Sequence, residues 1–176
     1  SRISLLTRTK KEGLGRAYIA GFQEAIRHSA EAVVEIDADF SHDPNDIPRL
    51  LRVLERSDLV VGSRYLHGSG VKDWSAARRW LSRCANLYAR VVTGVPVTDL
   101  TAGFVAIRTS LLQTIDLPSI RADGYGFQIE SKFRAHEAGA RIEEIPIVFR
   151  DRRVGQSKMS WDILWEALFI VWKLRF

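Results

Sequence analysis

Short apolar runs alternate along this chain with longer segments in which apolar residues recur every three or four positions. Runs of the first kind have the length of buried strands and occur at 3–7, 33–36, 58–61, 105–108 and 142–149. Segments of the second kind predict amphipathic helices at 14–26, 46–55, 76–93, 111–115 and 124–138. This alternation predicts an α/β fold in which the first three strands are parallel and joined by right-handed crossovers. Pro146, within the last run, favours a position at the edge of the sheet.

The composition limits the possible domain organisation and the possible binding partners. With 176 residues, of which 46% are hydrophobic, the chain can bury one core, so a single domain is expected. Its one cysteine, Cys84, excludes a disulfide framework and a cysteine zinc site. The net charge of +5 depends on an arginine excess that indicates phosphate-bearing partners, whether nucleotide, lipid phosphate or nucleic acid. The sequence begins in mid-pattern with no methionine or leader, so we expect it to be a piece of a longer polypeptide.

Two carboxylates, Asp37 and Asp39, directly follow the second predicted strand. Ligands of open α/β sheets bind beyond the carboxyl ends of the strands, so both carboxylates lie where a ligand is expected. Mg²⁺ or Mn²⁺ would suit them, because these hard cations take few protein oxygens and complete their shell with substrate phosphates. The alternative is that Asp39 or Asp43 only caps the helix that follows.

Cations and glycines precede the first predicted helix. Arg8, Lys11, Gly13 and Gly15 stand just before its N-terminus, where backbone N–H groups and basic side chains can approach a phosphate or nucleotide. Their spacing is neither that of a Walker loop nor that of a dinucleotide fingerprint. The segment is therefore either a nucleotide-binding loop or a solvated turn.

Three further polar residues follow the third predicted strand. Arg64 leaves this strand at the same sheet edge as the two carboxylates, so it is either a phosphate clamp or an ion-pair partner. The segment 66–75 is rich in glycine and polar residues and predicts a mobile loop over the site. Arg78 and Ser82 are four residues apart, so they share a face near the N-terminus of the third helix. A guanidinium, a hydroxyl and the helix dipole together favour a phosphate there.

The last third of the chain offers weaker signals. We expect Glu130 in the first turn of its helix, where it either contacts sugar hydroxyls or favours the helix dipole. Segment 150–158, with Arg152 and Lys158, has the composition of a solvated basic loop. Segment 159–176 predicts an aromatic-rich amphipathic helix that either lies at a membrane interface or packs against the domain. Charged residues interrupt it, so its apolar runs are too short to span a bilayer.

Six motifs, taken in order, resemble those of one enzyme family. They are Arg8…Lys11-x-Gly13-Leu14-Gly15, Asp37-Ala38-Asp39-Phe40-Ser41-His42, Gly62-Ser63-Arg64-Tyr65, Asp99-Leu100-Thr101-Ala102-Gly103-Phe104, Gly124-Tyr125-Gly126-Phe127-Gln128-Ile129-Glu130 and Phe149-Arg150-Asp151-Arg152…Gly155-Gln156-Ser157-Lys158-Met159. Nearly the whole chain resembles polyprenol-phosphate (dolichol-phosphate) mannosyltransferases. The resemblance implies the GT-A fold, a Rossmann-like three-layer α/β/α arrangement around a mostly parallel mixed sheet. It also implies an inverting, metal-dependent enzyme that transfers mannose from GDP-mannose to a polyprenyl phosphate.

The resemblance implies a role for each candidate side chain. Two anions must be held close together, and three groups would do so: Asp37 and Asp39 with the metal, Arg152 and Lys158 at the leaving diphosphate, and Arg64, Arg78 and Ser82 at the acceptor phosphate. The remaining candidates would contact the donor: Arg8, Lys11, Gly13 and Gly15 the nucleotide, and Glu130 the mannose. A phosphate monoester is already anionic at neutral pH, so it can attack without a strong protein base.

The sequence departs from that family in two places. Its members normally begin earlier, with a Pro-Thr-Tyr-Asn-Glu-like strand end and an Asp-Asp-Gly-Ser-like turn that hold the base and ribose. Either this sequence is a fragment or that part is supplied elsewhere. Ser41 stands where some relatives have glutamine, which leaves the third metal ligand open.

We therefore expect a glycosyltransferase domain over 1–158, N-terminally incomplete, and an amphipathic helix over 159–176 at the cytoplasmic face of a membrane. A separate membrane-anchoring subunit or domain is a further expected partner. Two alternatives remain close to this hypothesis, namely a polyprenyl-phosphate glucosyltransferase and a membrane-docking fragment without catalysis. A nucleic-acid-binding module would explain the positive charge, but no recognised motif is present and the arginines are dispersed over loops, so we expect no nucleic-acid partner.

Overall fold

The computed structural model describes residues 3–10, 12–151 and 169–175. The helices are α1 (Leu14–Arg27), α2 (Ile47–Leu54), α3 (Ala76–Thr93), α4 (Thr109–Thr114) and α5 (Gly124–Glu137), with 3₁₀ turns at Pro44–Asp46 and Leu117–Ser119. The strands are β1 (Ala32–Glu35), β2 (Leu59–Ser63), β3 (Gly70–Lys72), β4 (Val105–Arg108), β5 (Ile142–Pro146) and β6 (Val148–Arg150). Residues 169–175 are also helical. The predicted α/β fold class is confirmed.

Four strands form a mixed sheet in the order β1-β4-β2-β5. β1, β2 and β5 point the same way, whereas β4 runs antiparallel to both of its neighbours. β2 does not lie beside β1, because β4 enters between them and Ala106 faces both Val34 and Val60. Apolar runs of similar length and composition carry no signal of their order in a sheet, so the sequence could not have shown this.

A second, two-stranded parallel ribbon joins β3 to β6. Segment 66–75, predicted to be a loop, therefore contains a strand. The single strand predicted for 142–149 is also wrong, since it divides at Ile147. The N–H of Ile147 donates to the Ser63 carbonyl at 3.0 Å, and its own carbonyl accepts from the Gly70 N–H at 3.1 Å. Pro146 has no N–H to donate and ends β5, which lies at an edge of the described sheet.

Residues 3–8 lie outside the described strands, so the strand predicted for 3–7 is wrong. Ile3 and Leu5 are 86% and 88% exposed. None of the strand pairs in the described part of the chain includes this run. An apolar run becomes a strand only when a neighbouring strand accepts its backbone hydrogen bonds, which the sequence of the run alone does not reveal.

Helices cover both faces of the four-stranded sheet. Side chains alternate along a strand, so Val61 belongs to one core cluster and Val60 to the other. The first cluster includes Phe22 of α1 and Phe127 of α5, and the second includes Leu50 of α2. This is the predicted three-layer α/β/α arrangement. β1 and β2 end at the same edge of the sheet, where several candidate side chains gather.

α3 has the bounds that the sequence predicts. Ser75 is extended, and its Oγ accepts a hydrogen bond from the Arg78 N–H at 3.3 Å, which caps the N-terminus. Gly94 ends the helix in the left-handed conformation, with φ of 74°. These two local signals fix Arg78 in the first turn of α3.

Candidate functional site

An open cleft of about 500 Å³ lies beyond the carboxyl ends of β1 and β2. Its walls come from the loops after these strands, the segment before β4, the starts of α3 and α5, and the end of β6. The lining residues are Asp37, His42, Gly62, Arg64, Trp74, Arg78, Thr101, Ala102, Gly103, Tyr125, Phe149 and Asp151. Asp37, Arg64 and Arg78, which were predicted from separate stretches of the sequence, therefore meet in one cleft.

The two predicted metal ligands lie in the turn after β1. The Tyr18 hydroxyl donates to Asp37 Oδ1 at 3.3 Å, and the Ser41 N–H donates to Asp39 Oδ1 at 3.0 Å. Asp39 thus holds its own turn, in which Phe40 has φ of 64°. The alternative role of helix cap belongs to Asp43, whose Oδ1 accepts from the Asn45 N–H at 2.9 Å.

Carboxylates are concentrated at this turn. Burial, and after it the nearby charges of Glu35, Asp37 and Asp39, raise the pKa of Tyr18, so its phenol stays protonated and donates. Burial also raises the pKa of Glu35 to about 7, against the hydrogen bond that Gln128 gives it. Within the described ranges, no group of three or more His, Cys, Asp or Glu side chains is arranged to hold a metal. Two carboxylates still suit Mg²⁺ or Mn²⁺, which obtain their other ligands from water and substrate phosphates.

Arg64 makes the ion pair that was the alternative to a phosphate clamp. Its Nε and Nη2 donate to the two oxygens of Asp99 at 2.7 and 2.6 Å, and Nη2 also donates to Thr101 Oγ1 at 2.7 Å. Although burial opposes its charge, the Asp99 carboxylate raises the pKa of Arg64. The guanidinium lines the cleft but is bound into its wall, and its direct contact with a phosphate stays a prediction.

Arg78 and Ser82 share one face of α3, as their spacing predicts. The Arg78 guanidinium lies 4.0 Å from the centroid of the Trp74 ring, and its Nη1 pairs with Asp151 Oδ2 at 3.0 Å. The Ser82 hydroxyl accepts from the Tyr65 hydroxyl at 2.6 Å. Both side chains are therefore fixed by neighbours from the loop after β2, the residue before the α3 cap and the end of β6.

The described part of the 8–15 loop is held by hydrogen bonds at Arg8 and Gly15, although Thr9, Lys10 and Glu12 are exposed. Arg8 donates to Glu12 Oε2 at 2.9 Å and to the Gly13 carbonyl at 3.3 Å. The Gly15 N–H donates to Asp123 Oδ1 at 2.7 Å, so a carboxylate occupies the N-terminus of α1. Lys11 lies outside the described residues.

Glu130 does not have the position expected for it. It is the seventh residue of α5, so it lies in the second turn, because one turn takes 3.6 residues. Its Oε1 accepts from Arg134 at 2.7 and 3.0 Å, and its Oε2 accepts from the Ala122 N–H at 3.2 Å. These contacts hold the turn before α5, and Glu130 is not among the residues that line the cleft.

Several predictions fall on the end of the chain. Arg152, Lys158 and residues 159–168 lie outside the described residues. In the helical residues 169–175, Val171 is buried in the core, whereas Phe169 and Trp172 are 69% and 53% exposed. No helix in the described ranges is long and apolar enough to cross a membrane.

A buried polar network behind the cleft was missed from the sequence. Lys132 has no exposed surface, and its Nζ donates to the Ala102 carbonyl at 2.8 Å and to Gln128 Oε1 at 3.0 Å. Gln128 Nε2 in turn donates to Glu35 Oε2 at 2.8 Å. The network connects the cleft wall at Ala102 to the end of β1. A lysine within a helix is typical of a solvated face, so only the contact itself reveals this role.

His42 and Tyr18 were also missed as parts of the site. His42 packs against Phe104 and Phe149, with ring centroids 4.8 and 5.3 Å away. Burial lowers the pKa of His42, so its imidazole is neutral at pH 7. Its position three residues after Asp39 was the available signal. No sequence signal pointed to Tyr18, since it occupies an apolar position of α1.

Comparison with known proteins gives one matching family and close relatives. The family model described as glycosyl transferase family 2 matches residues 1–116. An undecaprenyl-phosphate mannosyltransferase of Micrococcus luteus is 45% identical over 94% of this chain and 68% of its own length. A polyprenol monophosphomannose synthase of Mycolicibacterium smegmatis is 43% identical over 99% of this chain and 67% of its own length.

Solved structures of glucosyl-3-phosphoglycerate synthase from Mycobacterium tuberculosis share the fold. The complex with Mg²⁺ and uridine diphosphate aligns with a TM-score of 0.62 at 18% identity, over 96% of this chain and 56% of that one. The complex with Mn²⁺, UDP-glucose and phosphoglyceric acid gives 0.58 at 20% identity, over 96% and 56%. The chain thus spans just over half the length of these structures. The likeness confirms the predicted GT-A fold.

Proposed function

This chain belongs to glycosyl transferase family 2, among the polyprenol-phosphate mannosyltransferases, and from that membership we propose that it transfers mannose from GDP-mannose to a polyprenyl monophosphate with inversion. The names of both curated relatives contain the mannosyl group and the polyprenol or its phosphate. The GDP donor follows from the resemblance of the six motifs. Inversion follows from a single displacement, in which the acceptor oxygen attacks the anomeric carbon as the diphosphate leaves.

On the donor side, Asp37 and Asp39 would hold Mg²⁺ or Mn²⁺. The hard carboxylate oxygens gathered near the Tyr18 hydroxyl fit such a cation. When bound, the cation would neutralise charge on the diphosphate leaving group. The similar synthase structures carry Mn²⁺ or Mg²⁺, which agrees with this choice. The other donor contacts that we propose are Arg152 and Lys158 at the diphosphate, Arg8, Lys11, Gly13 and Gly15 near the nucleotide, and Glu130 near the mannose.

On the acceptor side, Arg78 is the principal phosphate ligand that we propose. Its guanidinium is charged, lines the cleft and is oriented by Trp74 and Asp151. Ser82 would add a hydroxyl from the same helix face. Arg64 would contribute its positive charge at the cleft wall while Asp99 fixes its position. The acceptor phosphate would thus be oriented for in-line attack without a protein base.

The observation that carries this proposal is the presence of a carboxylate and an arginine, from separate elements, in the lining of one cleft. Asp37, from the turn after β1, and Arg78, from the first turn of α3, both line the same open volume. A displacement between a nucleotide diphosphate and a lipid phosphate needs a cation for each anion, held so that the two anions approach without repelling each other. The cleft supplies a carboxylate site for one cation and arginine for the other.

A lipid acceptor also implies a membrane surface, and we propose that the protein lies peripherally on the cytoplasmic face of one. Exposed Phe169 and Trp172, with Lys173 and Arg175 nearby in residues 169–175, have the composition of an interfacial segment. A separate membrane-anchoring subunit or domain would serve the same purpose.

The function is tested by mannose transfer in the intact protein. With polyprenyl phosphate and Mn²⁺, label should pass to the lipid from radiolabelled GDP-mannose and not from UDP-glucose. Asp39→Asn should abolish transfer and Mn²⁺-dependent GDP-mannose binding while thermal melting stays cooperative. Label arriving from UDP-glucose instead would assign the glucosyltransferase alternative. If no mannose reaches any polyprenyl phosphate, the proposed function fails.

A further inference from the structure

Gly13 and Gly15, at the N-terminus of α1, have a packing role that the proposed chemistry does not explain. Gly13 has φ of 92°, and a Cβ added there would lie 2.1 Å from Asp123 Oδ2. A Cβ at Gly15 would lie 2.7 Å from the Ala122 carbonyl oxygen. Asp123 Oδ1 accepts from the N–H groups of both Gly15 and Gly124, at 2.7 and 2.8 Å. One carboxylate therefore joins the N-termini of α1 and α5, and only glycine permits so close an approach.

This docking brings Tyr18 of α1 to the metal-binding turn. Its ring stacks on Phe127 of α5, with centroids 5.4 Å apart and planes 13° apart. Its hydroxyl donates to Asp37 Oδ1 at 3.3 Å. Gly103, which lines the cleft, also lies against this hydroxyl, since a Cβ there would be 3.9 Å from Tyr18 Oη. Tyr18 thus reaches the Asp37 carboxylate from behind the cleft wall.

We propose that Tyr18 is a positioning residue for the Asp37 carboxylate, and that the Gly13–Gly15 turn serves to place it. The inference rests on the metal site of the proposed function. A hydrogen bond to one oxygen restricts rotation of the carboxylate, so less freedom is lost when a cation binds. Losing such a partner typically weakens metal binding by about 10- to 100-fold. Because 3.3 Å is long for an O–H···O bond, we expect about tenfold here.

The competing explanation is that Tyr18 only fills space between Phe22 and Phe127. Tyr18→Phe distinguishes the positioning role from this packing role, because it keeps the stacked ring and removes only the hydroxyl. Tyr88→Phe is the matched control, since Tyr88 lies on α3 and packs against the same core cluster. The measurement is the dissociation constant for Mn²⁺ in the intact protein, from the electron paramagnetic resonance signal of free Mn²⁺, with and without GDP.

Tyr18→Phe should bind Mn²⁺ about tenfold more weakly at an unchanged melting temperature, and Tyr88→Phe should match the wild type. Equal affinity of Tyr18→Phe and the wild type overturns the inference and leaves the proposed function intact. A wild type that binds no Mn²⁺ in either condition removes the proposed metal site itself. If Tyr18→Phe also melts earlier, Val95→Ala decides, because it lowers stability within the same core cluster but leaves both the Tyr18–Phe127 stack and the Tyr18 hydroxyl in place. An equal loss of Mn²⁺ affinity in Val95→Ala would show an effect of general destabilisation only and overturn the inference.

Discussion

Asp99 is fully buried and holds the guanidinium of Arg64 with both carboxylate oxygens. Asp99→Asn keeps the shape of the side chain but leaves the buried charge of Arg64 without its anion. We therefore expect the free energy of unfolding, measured by urea denaturation, to fall by about 3–5 kcal/mol. Glu143→Gln is the control, because Glu143 pairs with the exposed Arg56 and such surface pairs contribute little. Similar small losses in both variants would contradict the prediction.

Lys132 should leave a signature in the pH dependence of stability. Burial lowers the pKa of Lys132 from its ordinary 10.5 to about 8. At pH values between these two, the Lys132 amine is protonated in the unfolded chain and neutral in the folded chain. This residue therefore makes the free energy of unfolding rise with pH across that window. Lys132→Met lacks the proton, so the free energy of unfolding of the wild type should increase relative to the variant from about pH 8 to 10.5. Urea denaturation through this window measures the difference, and a constant or shrinking difference would refute it.

Side chains next to an element boundary were predictable from the sequence, and those defined by distant contacts were not. Asp37 follows a strand and Arg78 opens a helix, so local signals place both at the cleft. The partner of Arg64 is 35 residues away, and that of Gly15 is 108 residues away. Such pairings depend on how the elements pack, which periodicity does not encode.

Gly15 and Gly21 belong to the same helix but meet different surroundings. A Cβ at Gly15 would lie 2.7 Å from the Ala122 carbonyl oxygen and 3.0 Å from the Phe127 ring, whereas a Cβ at Gly21 would meet nothing within 4 Å. Gly15→Ala should push α1 away from α5 and lower the free energy of unfolding by about 1–3 kcal/mol. Gly21→Ala should raise it by about 0.5–1 kcal/mol, because alanine loses less backbone entropy in a helix. Urea denaturation of the two variants compares them, and stabilisation by both would show that α1 and α5 are not tightly docked.

Among the elements, helices and central strands were predicted best. α3 and β4 have the predicted bounds, since a cap, a left-handed glycine and an apolar run are local signals. β3 was missed because it has only three residues in a glycine-rich segment and exists through its pairing with β6. The strand predicted at 3–7 was wrong for the opposite reason: its composition suits a strand, but no described strand pairs with it.

At the scale of the whole molecule, the cleft joins segments that are distant in sequence. The Arg78–Asp151 ion pair connects the start of α3 to the end of β6 at 3.0 Å. The Arg150 N–H donates to the Ser41 carbonyl at 3.1 Å, which ties the same strand to the turn of Asp39. The proposed donor and acceptor contacts therefore share a wall built by β6. Arg152 follows Arg150 by two residues in the sequence and lies outside the described residues.

The separate roles proposed for Arg78, at the acceptor phosphate, and Arg152, at the leaving diphosphate, can be tested in the intact protein. A lost charge-assisted phosphate contact costs about 1.5–3 kcal/mol, or roughly ten- to a hundredfold in affinity. Arg78→Ala should raise the apparent constant for polyprenyl phosphate by about that factor and leave GDP-mannose affinity nearly unchanged. Arg152→Ala should do the reverse, because its proposed partner is the leaving diphosphate. Arg83→Ala, at an exposed position of α3, is the control and should change neither constant. A radiolabelled-mannose transfer assay separates the two constants, and damage to donor binding alone by both Arg78→Ala and Arg152→Ala would rule out the arrangement of two separate anion sites.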